Sequence, residues 1–424
     1  MATNSLPGPD NITRTVLDNG LIVLVYENHA AQSVVIAGSI RSGSIYEDRT
    51  RSGLAGITAD ALMRGTQRRD FDAIHEALES IGADLSIDAG VHKTGFNGKA
   101  LAEDLPVLID LLGDVLRYPS FPPDQVERLR SEIMVGLQYR QQDTRYRASR
   151  AFRENLYPFE HPYHHSTSGT LETVPTITLS EMQAFHRLHY GPDGMILVIV
   201  GDVNAQAALD IVRERLGDWR NPDQPPAPAL PDVPPVDEIR RVSVAVKGKT
   251  QSDIALGVPG PSRFAEDYQA ANLANSILGQ FGMMGRIGKE VREKLGLAYY
   301  AYSRVEGGYG PNPWSVSAGV NPANVQLAID SIVNEIRRLT SEPVSDEDIA
   351  DNKSYFIGHL PLQLENNEGI AGTILSMESY NLGLDYLLKY RAMINALTKD
   401  DLLAAAQRYW HPEAFVLAVA GPDR

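Results

Sequence analysis

Thr178, Pro192 and Gly201 return as Thr398, Pro412 and Gly421, each pair 220 residues apart. Around the first set the chain runs Thr178-Leu179-Ser180-Glu181, then Tyr190-Gly191-Pro192, then the apolar stretch from Met195 to Val200. Around the second it runs Thr398-Lys399-Asp400-Asp401, then Trp410-His411-Pro412, then Phe415 to Ala420. A constant offset across a helix start, a turn and a buried strand marks an internal duplication, so the chain must fold as two versions of one unit. Between the copies, Asn221 to Pro235 is rich in proline and has no apolar period, which suits a semi-rigid connector. The expected organisation is a domain over 1–220, a linker over 221–236 and a homologous domain over 237–424.

Within the first copy, Asp18-Asn19-Gly20 separates two apolar runs between Thr13 and Glu27, the pattern of a tight hairpin. Ser33 to Gly43 reads as a further strand, and 83–96 alternates like an antiparallel pair. Helical periodicity covers 71–81, 104–116 and 123–146. Strands interleaved with helices, and few crossover signatures, predict an α+β fold with helices packed on one face of a mainly antiparallel sheet in each half.

A net charge of −15 leaves no basic face for nucleic acid or an anionic membrane, so neither partner is expected. With no cysteine, disulfides, thiolate nucleophiles and Cys-ligated metal are excluded from this chain. The polar stretch from Met1 to Arg14 lacks the pattern of a signal peptide, and the run from Met195 to Val200 is too short to span a bilayer. These features point to the cytoplasm, with the periplasm as the alternative if a leader has been removed.

Leu54, Ile57, Ala61 and Leu62 recur at helical spacing between Gly53 and Gly65-Thr66. The segment Gly53-Leu54-Ala55-Gly56-Ile57-Thr58-Ala59-Asp60 through Gly65-Thr66 resembles the zinc helix of the pitrilysin/insulinase-type (inverted zincin) metallopeptidases, G-L-A-H-x-x-E-H-x-x-x-x-G-T. In that motif two His bind zinc and the Glu activates water. The corresponding residues here are Gly56, Ala59 and Asp60. Glycine and alanine can neither ligate a metal nor move a proton, and one Asp falls short of the three protein ligands of a catalytic zinc. The resemblance also implies a third ligand, a Glu on the 123–146 helix. Matching Tyr139 to Asp143 to the family's acidic stretch places that position at Gly136, with Glu132 one turn away as the rival. The chain is therefore expected to hold no metal.

Two other patterns draw attention and carry less. His161-Pro162-Tyr163-His164-His165 is the one histidine cluster, but Pro162 breaks any helical spacing and no acid flanks it, so a loop of packed rings is expected. The glycines from Gly279 to Gly288 suggest a phosphate loop, yet Glu290 stands where Ser or Thr would have to hold magnesium.

In the second copy, Arg292-Glu293-Lys294-Leu295-Gly296-Leu297-Ala298-Tyr299 matches the family's R-E-K-x-G-L-A-Y segment. The resemblance implies that Arg292, at a helix end, holds a substrate carbonyl. It implies that Tyr299, in the following strand, donates to the developing oxyanion, with both reaching toward zinc carried by a homologous chain. It spans essentially the whole sequence and implies one half-clamshell subunit of such a peptidase. The implied function is a non-catalytic subunit supplying Arg292 and Tyr299 in trans to a partner with an intact H-x-x-E-H helix and its zinc. Such a pair would enclose short unfolded peptides. The alternative is an inert peptide-binding or scaffold subunit with no part in hydrolysis.

Overall fold

In the computed structural model, which describes residues 6–422 with the backbone alone at 283 and 284, the chain divides into two compact units. Residues 1–5, the start of the polar N-terminal stretch, lie outside the described residues. Neither unit is one continuous piece of sequence. The first takes 1–135, 166–229 and 360–389; the second takes 136–165, 230–359 and 390–424.

The first unit is built on a six-stranded sheet of β1 (Ile12–Val16), β2 (Ile22–Glu27), β3 (Ser33–Ile40), β4 (Asp84–Ala89), β5 (Thr94–Leu101) and β6 (Ile196–Gly201), in the order β1-β2-β6-β3-β5-β4. Gly20, at φ 87°, makes the turn between β1 and β2 as its sequence predicts. Among the described residues of this unit, only β2 and β6 pair in parallel. Every residue of β6 is buried, and alternation sends Leu197 and Ile199 to one face and Val198 and Val200 to the other. On the first face they meet Ile57, Leu62, Leu108, Leu112 and Val212, all on helices from the first copy.

The helices expected on one face are joined by one on the other, and it comes from the far end of the sequence. Ile370, Ile374 and Met377 of the Asn367–Ser379 helix close the second face over Leu24, Val35 and Val198. An ion pair between Arg14 and Glu378 at 2.8 Å and hydrogen bonds from Asn367 to Ser33 hold it there.

The second unit repeats the plan with β7 (Arg240–Ala245), β8 (Ser252–Pro259), β9 (Ala298–Val305), β10 (Pro313–Val320) and β11 (Val416–Gly421), ordered β7-β11-β8-β10-β9. Again a single pair, β7 with β11, is parallel. Thr178 and Thr398 each begin a helix with a reciprocal capping box, to Glu181 and Asp401, so the sequence offset is kept in the local hydrogen bonding. Here the borrowed helix is Thr144–Leu156, from the first copy, whose Phe152 ring fits against Gly257 of β8.

The single helix read over 123–146 is therefore two, Pro123–Gln141 and Thr144–Leu156. Asp143 causes the break: its side chain accepts from the N–H of Tyr146 and starts a new helix. Asn221 to Val236 has no regular secondary structure. Among the described residues no helix is long and apolar enough to cross a membrane.

Candidate functional site

The Leu54–Ala61 helix begins after Gly53, at φ 98°, and its apolar residues Leu54, Ile57 and Ala61 are all buried. Glu47 caps it: one carboxyl oxygen accepts from the Gly53 N–H at 3.1 Å and the other from Ala55 at 2.6 Å. Burial pushes the Glu47 carboxyl up to about 8, against the pull of those two donors. No sequence signal singled out Glu47, because it stands before the helix rather than at the usual cap position.

At Gly56, which the resemblance aligns with the family's first zinc ligand, the space beside the helix is filled. A Cβ placed on it would lie 2.5 Å from the carbonyl oxygen of Thr167. The segment around Thr167 is pinned to the helix start by Ser52 Oγ donating to the Ser166 carbonyl at 2.8 Å, and by Thr173 Oγ1 donating to the Ser52 carbonyl at 2.7 Å. Gly53 and Gly169 touch backbone to backbone, a Cβ on the former falling 2.7 Å from the Cα of the latter. Backbone thus occupies the space a histidine would need. Ala59, which the resemblance aligns with the water-activating Glu, is completely buried.

Asp60 is the one ionisable side chain on this helix. Burial, reinforced by the charge of Asp88 and opposed by Arg64, raises its carboxyl to about 6. The folded chain then keeps that proton up to about pH 6, while the unfolded chain releases it near 3.8, so stability is lost as pH rises across that window. Asp60→Asn is expected to stabilise the protein by about 2 kcal/mol at pH 7.5 and by almost nothing at pH 3.5. Urea unfolding at the two pH values checks this, and equal effects would remove Asp60 as the cause.

The two residues that the resemblance offers for a third ligand differ in their surroundings. Glu132 is engaged by Arg64 at 2.5 Å and Arg128 at 3.3 Å, and its hydrogen bond to Arg64 holds its carboxyl below the ordinary range. Arg64 also stands over the Phe71 ring at 5.4 Å. At Gly136, a Cβ would meet open space. A matched pair of substitutions follows. Gly136→Ala, in an open helix interior, should stabilise by about 0.5–1 kcal/mol. Gly56→Ala should instead destabilise by about 1–3 kcal/mol, because a backbone carbonyl must move. Thermal midpoints read both, and the same sign at both sites would contradict the packing.

Zinc does not fit this helix. Among the described residues, no group of three or more His, Cys, Asp or Glu gathers in metal-binding geometry. The histidine cluster turns its rings to the backbone: His164 Nδ1 lies 2.9 Å from the Tyr157 carbonyl, and His165 Nε2 lies 2.8 Å from that of Phe159.

Arg292 and Tyr299 both sit at breaks in regular structure. Arg292 is on the π-helical turn Gly288–Lys294, ahead of Gly296 at φ 61°. It is half-buried, and no acid among the described residues pairs with it. Tyr299 is the extra residue of a β-bulge: in the β9–β10 ladder Gly319 pairs with Tyr300 and Val320 with Ala298, leaving Tyr299 without an opposite. Its side chain is 83% exposed. The next residue, Tyr300, turns inward, and its hydroxyl donates to Asp253 while accepting from Arg145 Nε at 3.0 Å. Sequence reading missed Tyr300, Asp253 and Arg145 as a group; the repeated tyrosines of β9 were the available signal, but they do not show which one faces out.

A family model described as the insulinase peptidase family M16 matches residues 22–160, and one described as the peptidase M16 inactive domain matches 176–356. An uncharacterised zinc protease of Streptomyces coelicolor is 25% identical over 406 residues, 94% of this chain and 87% of that protein. The human mitochondrial cytochrome b-c1 complex subunit 1 is 27% identical over 278 residues, 63% of this chain and 55% of that protein. Among solved structures, a peptidase M16 inactive domain from Pseudomonas fluorescens aligns with TM-score 0.88 at 24% identity, covering 98% of both chains. A protease from Helicobacter pylori aligns with TM-score 0.90 at 21% identity, covering 98% of this chain and all of that one.

Proposed function

This chain belongs to the insulinase (M16) peptidase family but lacks the side chains with which that family grips zinc, and from this we propose that it is the non-catalytic subunit of a heterodimeric zinc metallopeptidase. The partner is a homologous chain with an intact H-x-x-E-H helix, and the zinc is the partner's. This chain contributes Arg292 and Tyr299 to the partner's site and helps enclose short unfolded peptides. Peptide strands pair with the free edges of β4 and β9, each the last strand of its sheet.

One observation carries the reading: Tyr299 is lifted out of its ladder by the bulge and left exposed, with no partner among the described residues. A phenol in that position is free to donate to another molecule, and Arg292 offers a planar fork of donors that stays charged at any working pH. Bulges beside active sites serve to re-aim a side chain in this way. The test is reconstitution. The chain alone should bind no stoichiometric zinc and cleave no peptide, and hydrolysis should appear when it is mixed with a homologue carrying the full motif. Hydrolysis by that homologue alone at the same rate would end the proposal.

A second reading, an inert scaffold subunit, is favoured by the human relative, which is named as a subunit of the cytochrome b-c1 complex. Under it, substitutions at Arg292 and Tyr299 leave the activity of any complex unchanged.

A further inference from the structure

The bulge that lifts Tyr299 needs something to hold its register, since the side-chain period of a strand is two and a slip of one residue exchanges inside for outside. Without an anchor, Tyr299 and Tyr300 are interchangeable phenols. The anchor is visible on the inner side of β9.

Tyr300 lies on the bare backbone of Gly319, where a Cβ would stand 2.5 Å from its ring, 2.7 Å from Gln251 Nε2 and 3.1 Å from Asp253 Oδ1. Its hydroxyl donates to Asp253 and accepts from Arg145, whose guanidinium carbon stands 3.9 Å from the ring centroid. Asp253, almost fully buried on β8, also accepts from Thr144 Oγ1 at 2.5 Å and from Gln251 Nε2 at 3.1 Å. It faces Gly319 directly in the β8–β10 ladder. Burial and the Asp253 carboxylate hold the Tyr300 hydroxyl well above the usual phenol range, so it remains a donor. Two strands and the Thr144–Leu156 helix thus converge on one side chain.

We propose that Tyr300, clamped by Asp253 and Arg145, is the positioning residue that keeps Tyr299 on the outer side of β9. Turning Tyr299 inward would pull Tyr300 off Gly319, break its hydrogen bonds and leave the buried Asp253 short of a donor, so the outward setting is the stable one. The proposal rests on the function above for what Tyr299 does, but not for where it points.

The test is made on the full chain alone. With 3-fluorotyrosine placed at position 299, the fluorine spectrum should show one narrow resonance. In Tyr300→Phe, which keeps the ring and removes the hydroxyl, it should split into two as the bulge samples both settings. Arg145→Ala, at an exposed position, should do the same without endangering the fold, whereas Arg145→Gln, which retains an N–H donor, should partly restore the single line. A single unmoved resonance in folded Tyr300→Phe and Arg145→Ala, with native circular dichroism, would overturn the clamp. The outcome is separable from the fate of the proposed function. If the fluorine line splits but Tyr299→Phe leaves the activity of a reconstituted pair unchanged, the positioning stands and the catalytic role falls.

Discussion

Replacing Tyr299 with Phe should lower turnover by the reconstituted pair about 10²-fold, on the order of 3 kcal/mol of transition-state stabilisation. The physical cause, on the proposed role, is the loss of one preorganised hydrogen-bond donor at the place where negative charge develops on the scissile carbonyl oxygen. The phenyl ring keeps the shape and exposed position of the side chain, so folding and assembly should be unaffected. Zinc content should not change either, because in the proposed role this side chain is a donor to substrate and not a ligand. Arg292→Lys should act differently, raising KM as well as lowering kcat, since an ammonium cannot reproduce the planar fork. Steady-state kinetics on a peptide, with zinc measured on the same samples, separates the two. Unchanged kcat in Tyr299→Phe, with the complex intact, would leave only the scaffold reading standing.

The second large effect is a failure to gain. Restoring the motif as Gly56→His, Ala59→Glu and Asp60→His together should not yield a zinc-binding chain, and should destabilise it by more than about 4 kcal/mol. The histidine at 56 meets the Thr167 carbonyl, which the hydrogen bonds of Ser52 and Thr173 hold in place. The glutamate at 59 would bury an uncompensated carboxylate at a position with no solvent access. Metal analysis after dialysis, together with the thermal midpoint, gives the answer. One tightly held zinc per chain at unchanged stability would mean that the loop around Thr167 moves aside freely, and that the helix is a dormant site rather than a filled one.

Much of the fold could be read from local pattern. The helix starts after Thr178 and Thr398, the turn at Gly20, the fully buried β6 and the mostly buried β11 are short-range features, written within a few residues. The exchange of the Thr144–Leu156 and Asn367–Ser379 helices was not legible, because each packs against strands far away in sequence and its apolar stripe does not say which sheet it will cover. Even the break between the two helices near Asp143 was hidden, because helical periodicity passes through it almost unchanged.

The candidate site divides along the same line. The sequence by itself determined that the chain is a duplicated unit and that Gly56 and Ala59 bring no donor atom to a metal, since side chains that lack donor atoms lack them in any fold. Only the tertiary structure decided that the Thr167 carbonyl fills the place of the first histidine, that Arg64 occupies Glu132, and that Tyr299 rather than Tyr300 faces outward. Those outcomes depend on segments distant in sequence meeting at ångström spacing, and on a one-residue bulge that reverses a strand's alternation, neither of which leaves a periodic trace in the chain.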